Sequence, residues 1–208
     1  MSIDPDLVRV WLTGWTLARG TPPPVALPDC WRVDVGWPDQ KARFVFPAAS
    51  NAVTRRAAAI REAHVFLKVV APPDVLRALL PESWHLQSPR FMMTHGRLGL
   101  TGGGLAPGYR QEDDGRTARI LLRDAVVASG QVVMVEGRAI FDSIKVDADH
   151  RRRGLGRALV AALTAMARDA EVVRGVLVAT QDGRALYETL GWRVHAPYTS
   201  ASLAISNG

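Results

Sequence analysis

Ile144-Lys145-Val146-Asp147-Ala148-Asp149-His150-Arg151-Arg152-Arg153-Gly154-Leu155-Gly156-Arg157-Ala158-Leu159 is the stretch that decides the fold. An apolar strand-like run stops at Val146, and a polar segment with two glycines follows. A helical stripe then starts at Leu155 and repeats at Leu159, Leu163 and Met166. Strand, glycine loop and helix in that order make a phosphate-binding design. Gly154 and Gly156 let the backbone turn tightly and approach a ligand with no Cβ in the way. The helix opens with N–H groups that lack intrahelical partners and turns the positive end of its dipole toward the loop. Arg151, Arg152 and Arg153 add charge suited to a pyrophosphate and a ribose phosphate.

Upstream of that stretch, residues 118–122, 127–135 and 139–146 read as consecutive antiparallel strands, with Glu136-Gly137 turning between the last two. Downstream, residues 157–170 read as helix and Val176–Ala179 as a short, wholly apolar strand of the kind buried on both faces. Asp182 is placed to cap a second helix running to Leu190. Gly191 supplies its left-handed stop, and a last strand starts at Trp192. Even spacing puts Asp142, Ile144 and Val146 on one strand face and Lys145 on the other. The pattern predicts an α/β fold, an α+β arrangement on a mixed sheet.

These residues resemble the GNAT superfamily of acetyl-CoA-dependent N-acetyltransferases. His150 to Leu159 looks like its acetyl-CoA motif, Arg/Gln-x-x-Gly-x-Gly/Ala. Arg184-Ala185-Leu186-Tyr187-Glu188-Thr189-Leu190-Gly191-Trp192 looks like the family's second helix and strand, which usually end Tyr-x-x-x-Gly-Phe. The resemblance covers about residues 117–203. It implies a GNAT-like acyl-CoA N-acyltransferase fold whose parallel strands 139–146 and 176–179 splay apart. Pantetheine then lies in the gap and pairs with backbone groups of Ile144, Lys145 and Val146. Acetyl-CoA is the implied co-substrate, held by Arg151, Arg152, Arg153, Gly154, Leu155, Gly156 and Arg157. Gln181 stands where many relatives have an Asn that contacts CoA. Tyr187 is implied as the acid that protonates the departing thiolate. Asp142, near a place where relatives often carry a carboxylate, is implied as the base. The implied activity is transfer of an acetyl group to a primary amine of a small molecule or peptide by direct attack in a ternary complex. The alternative is a CoA-binding sensor or interaction module without chemistry. His150 reads as a loop residue near phosphate and Glu136 as a turn residue.

The N-terminal half departs from the family. Residues 5–18 place Val8, Trp11, Trp15 and Ala18 at helical spacing, and Gly20 with Pro22-Pro23-Pro24 stops that helix. A hairpin over 31–35 and 41–46, a helix over 51–63, a strand over 65–70, a helix over 73–80 and a strand over 91–94 follow. Residues 96–109, with Gly99, Gly102, Gly103, Gly104, Pro107 and Gly108, form a connector or lid. It is not a nucleoside-triphosphate loop, since no Gly-Lys-Ser/Thr follows. No helix reads between Thr94 and Arg116, so the acceptor wall must come from residues 1–95. The organisation is therefore an N-terminal α/β lobe over 1–95 and a GNAT catalytic domain over 96–208. A shift of 108 positions pairs Val70 with Val178, Ala71 with Ala179, Asp74 with Asp182, Trp84 with Trp192 and Pro89 with Pro197. That suggests a degenerate half-repeat, with Pro47-Ala-Ala-Ser-Asn-Ala where the glycine pair would be. The rival reading is one enlarged domain.

The 208 residues are 48% hydrophobic and 22% charged, ordinary for a globular chain. The net charge of +6 comes from scattered arginines, with Lys only at 41, 68 and 145, and lacks the clustering of a nucleic-acid footprint. Cys30 is the only cysteine, which excludes an intramolecular disulfide and a cysteine zinc site, and the histidines have no metal-ligand spacing. No segment reaches the roughly 20 apolar residues of a membrane span, and Met1-Ser-Ile-Asp-Pro-Asp lacks a signal-peptide pattern. The expectation is a cytoplasmic protein with an amine acceptor as partner, no metal, no nucleic acid and no membrane. A homodimer is compatible with it.

Overall fold

The computed structural model describes residues 4–99 and 104–203; Gly102 and Gly103 of the connector lie outside the described residues. In chain order the first elements are α1 (Pro5–Arg19), β1 (Val25–Ala26), β2 (Trp31–Trp37), β3 (Gln40–Phe46), α2 (Asn51–Ala59), β4 (Val65–Val69), α3 (Pro73–Leu79), β5 (Trp84–Leu86) and β6 (Arg90–His95). Then come β7 (Tyr109–Asp113), β8 (Thr117–Leu122), β9 (Ala125–Val135), β10 (Arg138–Val146), α4 (Leu155–Asp169), β11 (Arg174–Thr180), α5 (Gln181–Thr189) and β12 (Arg193–Leu203). No described helix is long and apolar enough to cross a membrane.

The chain forms two compact units. One holds residues up to Met93 together with Val178–Gln181 and residues from Val194 onward; the other holds Thr94–Leu177 and Asp182–Arg193. The expected division after residue 95 therefore falls two residues earlier. The last strand, expected in the second domain, belongs to the first unit. It does so because β12 lies antiparallel to β4, from Thr199↔Val69 to Ser202↔Phe66, which buries Thr199, Ser200 and Ala201.

In the first unit Asp4 caps α1 through Asp6 N–H (3.0 Å), Pro5 opens the helix, and Gly20 ends it at φ 62°. Val8, Trp11, Trp15 and Ala18 are buried, as their spacing predicts. α2 stops at Ala59 rather than residue 63, because Ile60 turns extended and buries its side chain. The strands run in the order β1-β2-β3-β4-β12, with β5 also on β12. β3 and β4 are parallel and pair along their whole length, from Ala42↔Val65 to Phe46↔Val69. One sheet face, with Phe44, Phe46, Leu67, Val69 and Ala201, packs with Val53, Ala57, Leu76 and Trp84 into a single core.

In the second unit the order is β11-β10-β9-β8-β7. Glu136 (φ 48°) and Gly137 (φ 70°) make the two-residue turn of the β9–β10 hairpin, the geometry that matches strand twist. α4 buries the stripe Leu155, Leu159, Leu163 and Met166. β7 is absent from the sequence reading because Tyr109-Arg110-Gln111-Glu112-Asp113 has no apolar alternation. It is a polar edge strand, paired with β8 from Tyr109↔Leu122 to Asp113↔Ala118. No helix lies between Thr94 and Arg116 among the described residues. α5 follows β11 directly, so Asp182 sits inside its first turn instead of capping it. Gly191 stops the helix at φ 84°.

Candidate active site

β10 carries the site's floor. Its parallel ladder with β11 holds Arg138↔Arg174, Ala139↔Gly175 and Ile140↔Val176, then ends, while β10 continues to Val146. The strands splay as the family resemblance implies, and the edge of β10 beyond Ile140 loses its β11 partner. On its other side β10 bulges. Asp142 pairs with Gln131 and Lys145 with Ser129, so two residues oppose Gly130 alone. Ser143 adopts φ 54° to allow this, and its hydroxyl donates to Asp142 Oδ2 (2.9 Å).

The bulge overturns the even-spacing expectation. Gln131 and Ser129 share a face of β9, so Asp142 and Lys145 share a face of β10. Ile144 turns to the opposite side. A Cβ on Gly130 would meet Ile144 Cγ1 at 2.8 Å and Leu163 Cδ1 of α4 at 3.1 Å. Lys145 is exposed, as expected, while Ile144 and Val146 are half-buried.

The glycine loop leads into α4 without a capping side chain. Gly154 caps α4 in the left-handed region (φ 78°), with no side-chain hydrogen bond to the helix and no acidic residue in the first turn. The first return bond is Ala158 N–H to Gly154 C=O, which leaves the N–H groups of Leu155, Gly156 and Arg157 facing the loop. Arg151, Arg152 and Arg153 are exposed, and Arg157 is half-buried with a bond to Thr189 (3.3 Å). Gly156 also meets a packing demand. An added Cβ would meet Leu186 Cδ2 at 2.9 Å, so this glycine clears the packing of α5 on α4.

Tyr187 and Asp142 are brought close together. Tyr187 is buried, at 7% exposure; that burial, and then the Asp142 carboxylate, hold its phenol well above the ordinary value. The ring of Trp192 lies 5.8 Å from Tyr187, 5.1 Å from Phe141 and 5.6 Å from His95, forming an aromatic wedge that fixes the tyrosine. Gln181 is exposed at the first position of α5.

Two positions escape sequence reasoning. Tyr109 on β7 puts its hydroxyl 3.0 Å from His150 Nδ1 and accepts from Arg153 (3.4 Å), bracing the arginine loop. Ser143 has no glycine-like signature to announce its left-handed backbone. Among the described residues no group of three His, Cys, Asp or Glu side chains could hold a metal.

Splayed strands, a helix without a side-chain cap behind a glycine loop and a buried tyrosine make up the candidate site. Residues 113–194 match the model of the acetyltransferase (GNAT) domain. No curated protein matches it in sequence. Among solved structures it is similar to a GCN5-related N-acetyltransferase from Kribbella flavida, at 14% identity and TM-score 0.69, over 99% of this chain and 97% of that one. A GCN5-related N-acetyltransferase from Sphaerobacter thermophilus is similar at 12% identity and TM-score 0.59, covering 84% and 76%. A tandem GNAT protein from the clavulanic acid biosynthesis pathway is similar at 14% identity and TM-score 0.53, covering 80% and 76%. At these identities the likeness is one of fold.

Proposed function

We propose that this protein transfers an acetyl group from acetyl-CoA to a primary amine of a small molecule or peptide, by direct attack in a ternary complex. The observation that carries this reading is the β10–β11 ladder that ends at Ile140↔Val176. An amide-bearing pantetheine arm can complete the open edge at Ile144–Val146 as an added strand would. The free N–H groups at the start of α4 and the exposed Arg151–Arg153 then meet the pyrophosphate.

The amine needs a base. An alkyl ammonium has a pKa of roughly 10.4, so little is nucleophilic at neutral pH. Asp142 collects its proton, directly or through a water. The nitrogen lone pair forms the C–N bond, the C–S bond breaks, and sulfur leaves with the electron pair. Tyr187 acts differently from the acid that the family implies. A thiol has a pKa of roughly 8.5 and a phenol roughly 10, so full transfer is uphill by about 2 kcal/mol even before burial raises the phenol. Tyr187 therefore donates a hydrogen bond to the departing sulfur and keeps its proton. A hydrogen bond to charge contributes about 1.5–3 kcal/mol, or roughly 10–150-fold in rate.

The first unit repeats the order hairpin, helix, parallel strand, helix, strand, which supports a degenerate half-repeat acting as scaffold. Its β3–β4 ladder is closed over its length, so the reading gives it no CoA. The acceptor is an amine, not nucleic acid or membrane, met in a reducing cytoplasm.

The test is CoA-thiol release from acetyl-CoA across a panel of amines, amino acids, peptides and antibiotics. Tyr187→Phe should lower kcat within the range above and leave acetyl-CoA affinity unchanged. Asp142→Asn should move the rate profile to higher pH, where the amine is already neutral. Acetyl-CoA binding with no turnover of any amine would favour the sensor instead.

A further inference from the structure

The turn between β1 and β2 is strapped to α2. Leu27 N–H donates to Cys30 C=O (2.8 Å) and closes the turn. Within it, Asp29 pairs with Arg55 of the helix (3.3 Å). Between turn and helix lies a pocket of about 250 Å³, contained wholly in the first unit. Ala52, Arg55, Arg56 and Ala59 line it from α2, at the spacing of a single helix face. Leu27 and Cys30 line it from the turn, and Phe46 from β3.

The lining divides into an apolar part and a charged part. Phe46 is 1% exposed and belongs to the first unit's core, and Leu27 packs against that core. Cys30 is buried as well. Burial holds its thiol above the ordinary value; Arg56 draws it down and Asp29 pushes it up. At neutral pH the thiol is therefore uncharged and packs as a small hydrophobe. Arg56 is half-buried, with its guanidinium 4.5 Å from the Phe44 ring centre. Stacking uses the flat face of a guanidinium and leaves its in-plane N–H groups for a bidentate acceptor. The charged lining residues are Arg55, Arg56 and Asp29, so one negative charge on a ligand brings the pocket to neutrality. A second would be repelled by the Asp29 carboxylate.

We propose that this pocket binds a small monocarboxylate with an apolar body, its carboxylate on Arg56 and its body against Phe46, Leu27 and Cys30. The volume suits one ring or a short branched chain. It exceeds the roughly 150 Å³ that holds a benzene and falls short of the roughly 300–1,000 Å³ of sites for larger ligands. The site stands independently of the acyl-transfer reading.

Phenylacetate is the probe. Titration calorimetry should find saturable binding, with a Kd on the order of 1 mM or tighter for a ligand of this size. Phenylacetamide keeps the ring and loses the charge, and acetate keeps the charge and loses the ring. Each should bind at least about tenfold more weakly. Arg56→Met keeps an apolar chain beside Phe44 and should weaken phenylacetate at least about tenfold. Ala59→Leu, at an exposed helix position, should keep the parental melting temperature, fill the pocket and abolish binding. Saturating phenylacetate should slow iodoacetamide labelling of Cys30, the only cysteine, which locates the bound probe. Saturating CoA should leave phenylacetate affinity unchanged, which separates this site from the glycine loop. Absence of saturable binding, displacement by CoA, labelling of Cys30 at the unprotected rate, equal affinity for phenylacetamide, or parental binding in either variant would overturn the proposal.

Discussion

Gly175→Ala is a one-carbon change that tests whether the aromatic wedge holds the site. A Cβ at Gly175 would stand 2.5 Å from Trp192 Cη2 and 3.1 Å from both Trp192 Cζ2 and Leu98 Cδ2. Ordinary carbon contacts lie at roughly 3.5–4.0 Å, so the indole must move by about 1 Å. It has little room, being 3% exposed and held by Phe141, Tyr187 and His95. β11 cannot withdraw easily, because Ala139↔Gly175 is the middle of three pairs that join it to β10. Overpacking of this kind costs about 1–3 kcal/mol. For a chain of this size that lowers Tm by roughly 2–12 °C. The displaced indole should also move Tyr187, so kcat should fall further than acetyl-CoA affinity. Calorimetric melts in two backgrounds provide the assay. Trp192→Phe removes the ring edge that carries Cη2 and Cζ2, so Gly175→Ala should cost at least about 1 kcal/mol less there, a coupling expected only of residues in contact. Equal losses in both backgrounds, or a parental Tm for Gly175→Ala, would refute the wedge.

Arg152→Glu, on an exposed side chain, should leave the fold intact and weaken acetyl-CoA by about 10–100-fold at low salt, with the difference shrinking as ionic strength rises. It is a cleaner probe than Gly156→Val, whose side chain would press on Leu186 and confound packing with binding. Titration calorimetry should find one acetyl-CoA per chain; a second equivalent would mean that the closed β3–β4 ladder does not exclude it. Stability should rise with pH from about 7 toward 10. The Lys68 ammonium titrates near 7 in the fold against 10.5 for an ordinary lysine, so in that window the unfolded chain binds the extra proton. The upper bound is on the order of 5 kcal/mol, fully present as a cost below about pH 7. Urea melts of Lys68→Met should lose that slope, and a parental slope would show that Lys68 does not titrate as described.

Much of the second unit was legible because its signals are local. The stripe Leu155–Leu159–Leu163–Met166, the turn at Glu136-Gly137 and the stop at Gly191 depend on residues a few positions apart, where backbone chemistry leaves few choices. The place of Tyr187 and the splay came with the motif resemblance. The bulge did not. Ser143 takes a backbone that glycine would normally advertise, and it is stabilised by the opposite strand and by Asp142 rather than by its own type. One extra residue then reversed the facing of everything beyond Asp142. β7 was hidden for the opposite reason: an edge strand with no core to face carries no apolar rhythm.

By itself the sequence determined the strand–glycine loop–helix cradle, the order of most elements and the absence of a cysteine framework, all set by residue type at short range. Only the tertiary structure decided that β12 completes the first unit, that Gly156 yields to Leu186 and that Asp142 parts from the face of Ile144. It alone brought Tyr198 of β12 against Trp11 of α1 and Lys68 of β4 against Ser200. Those residues lie far apart along the chain, on elements whose alternation says only in or out. Which strand lies next to which is fixed by hydrogen-bond register across the sheet.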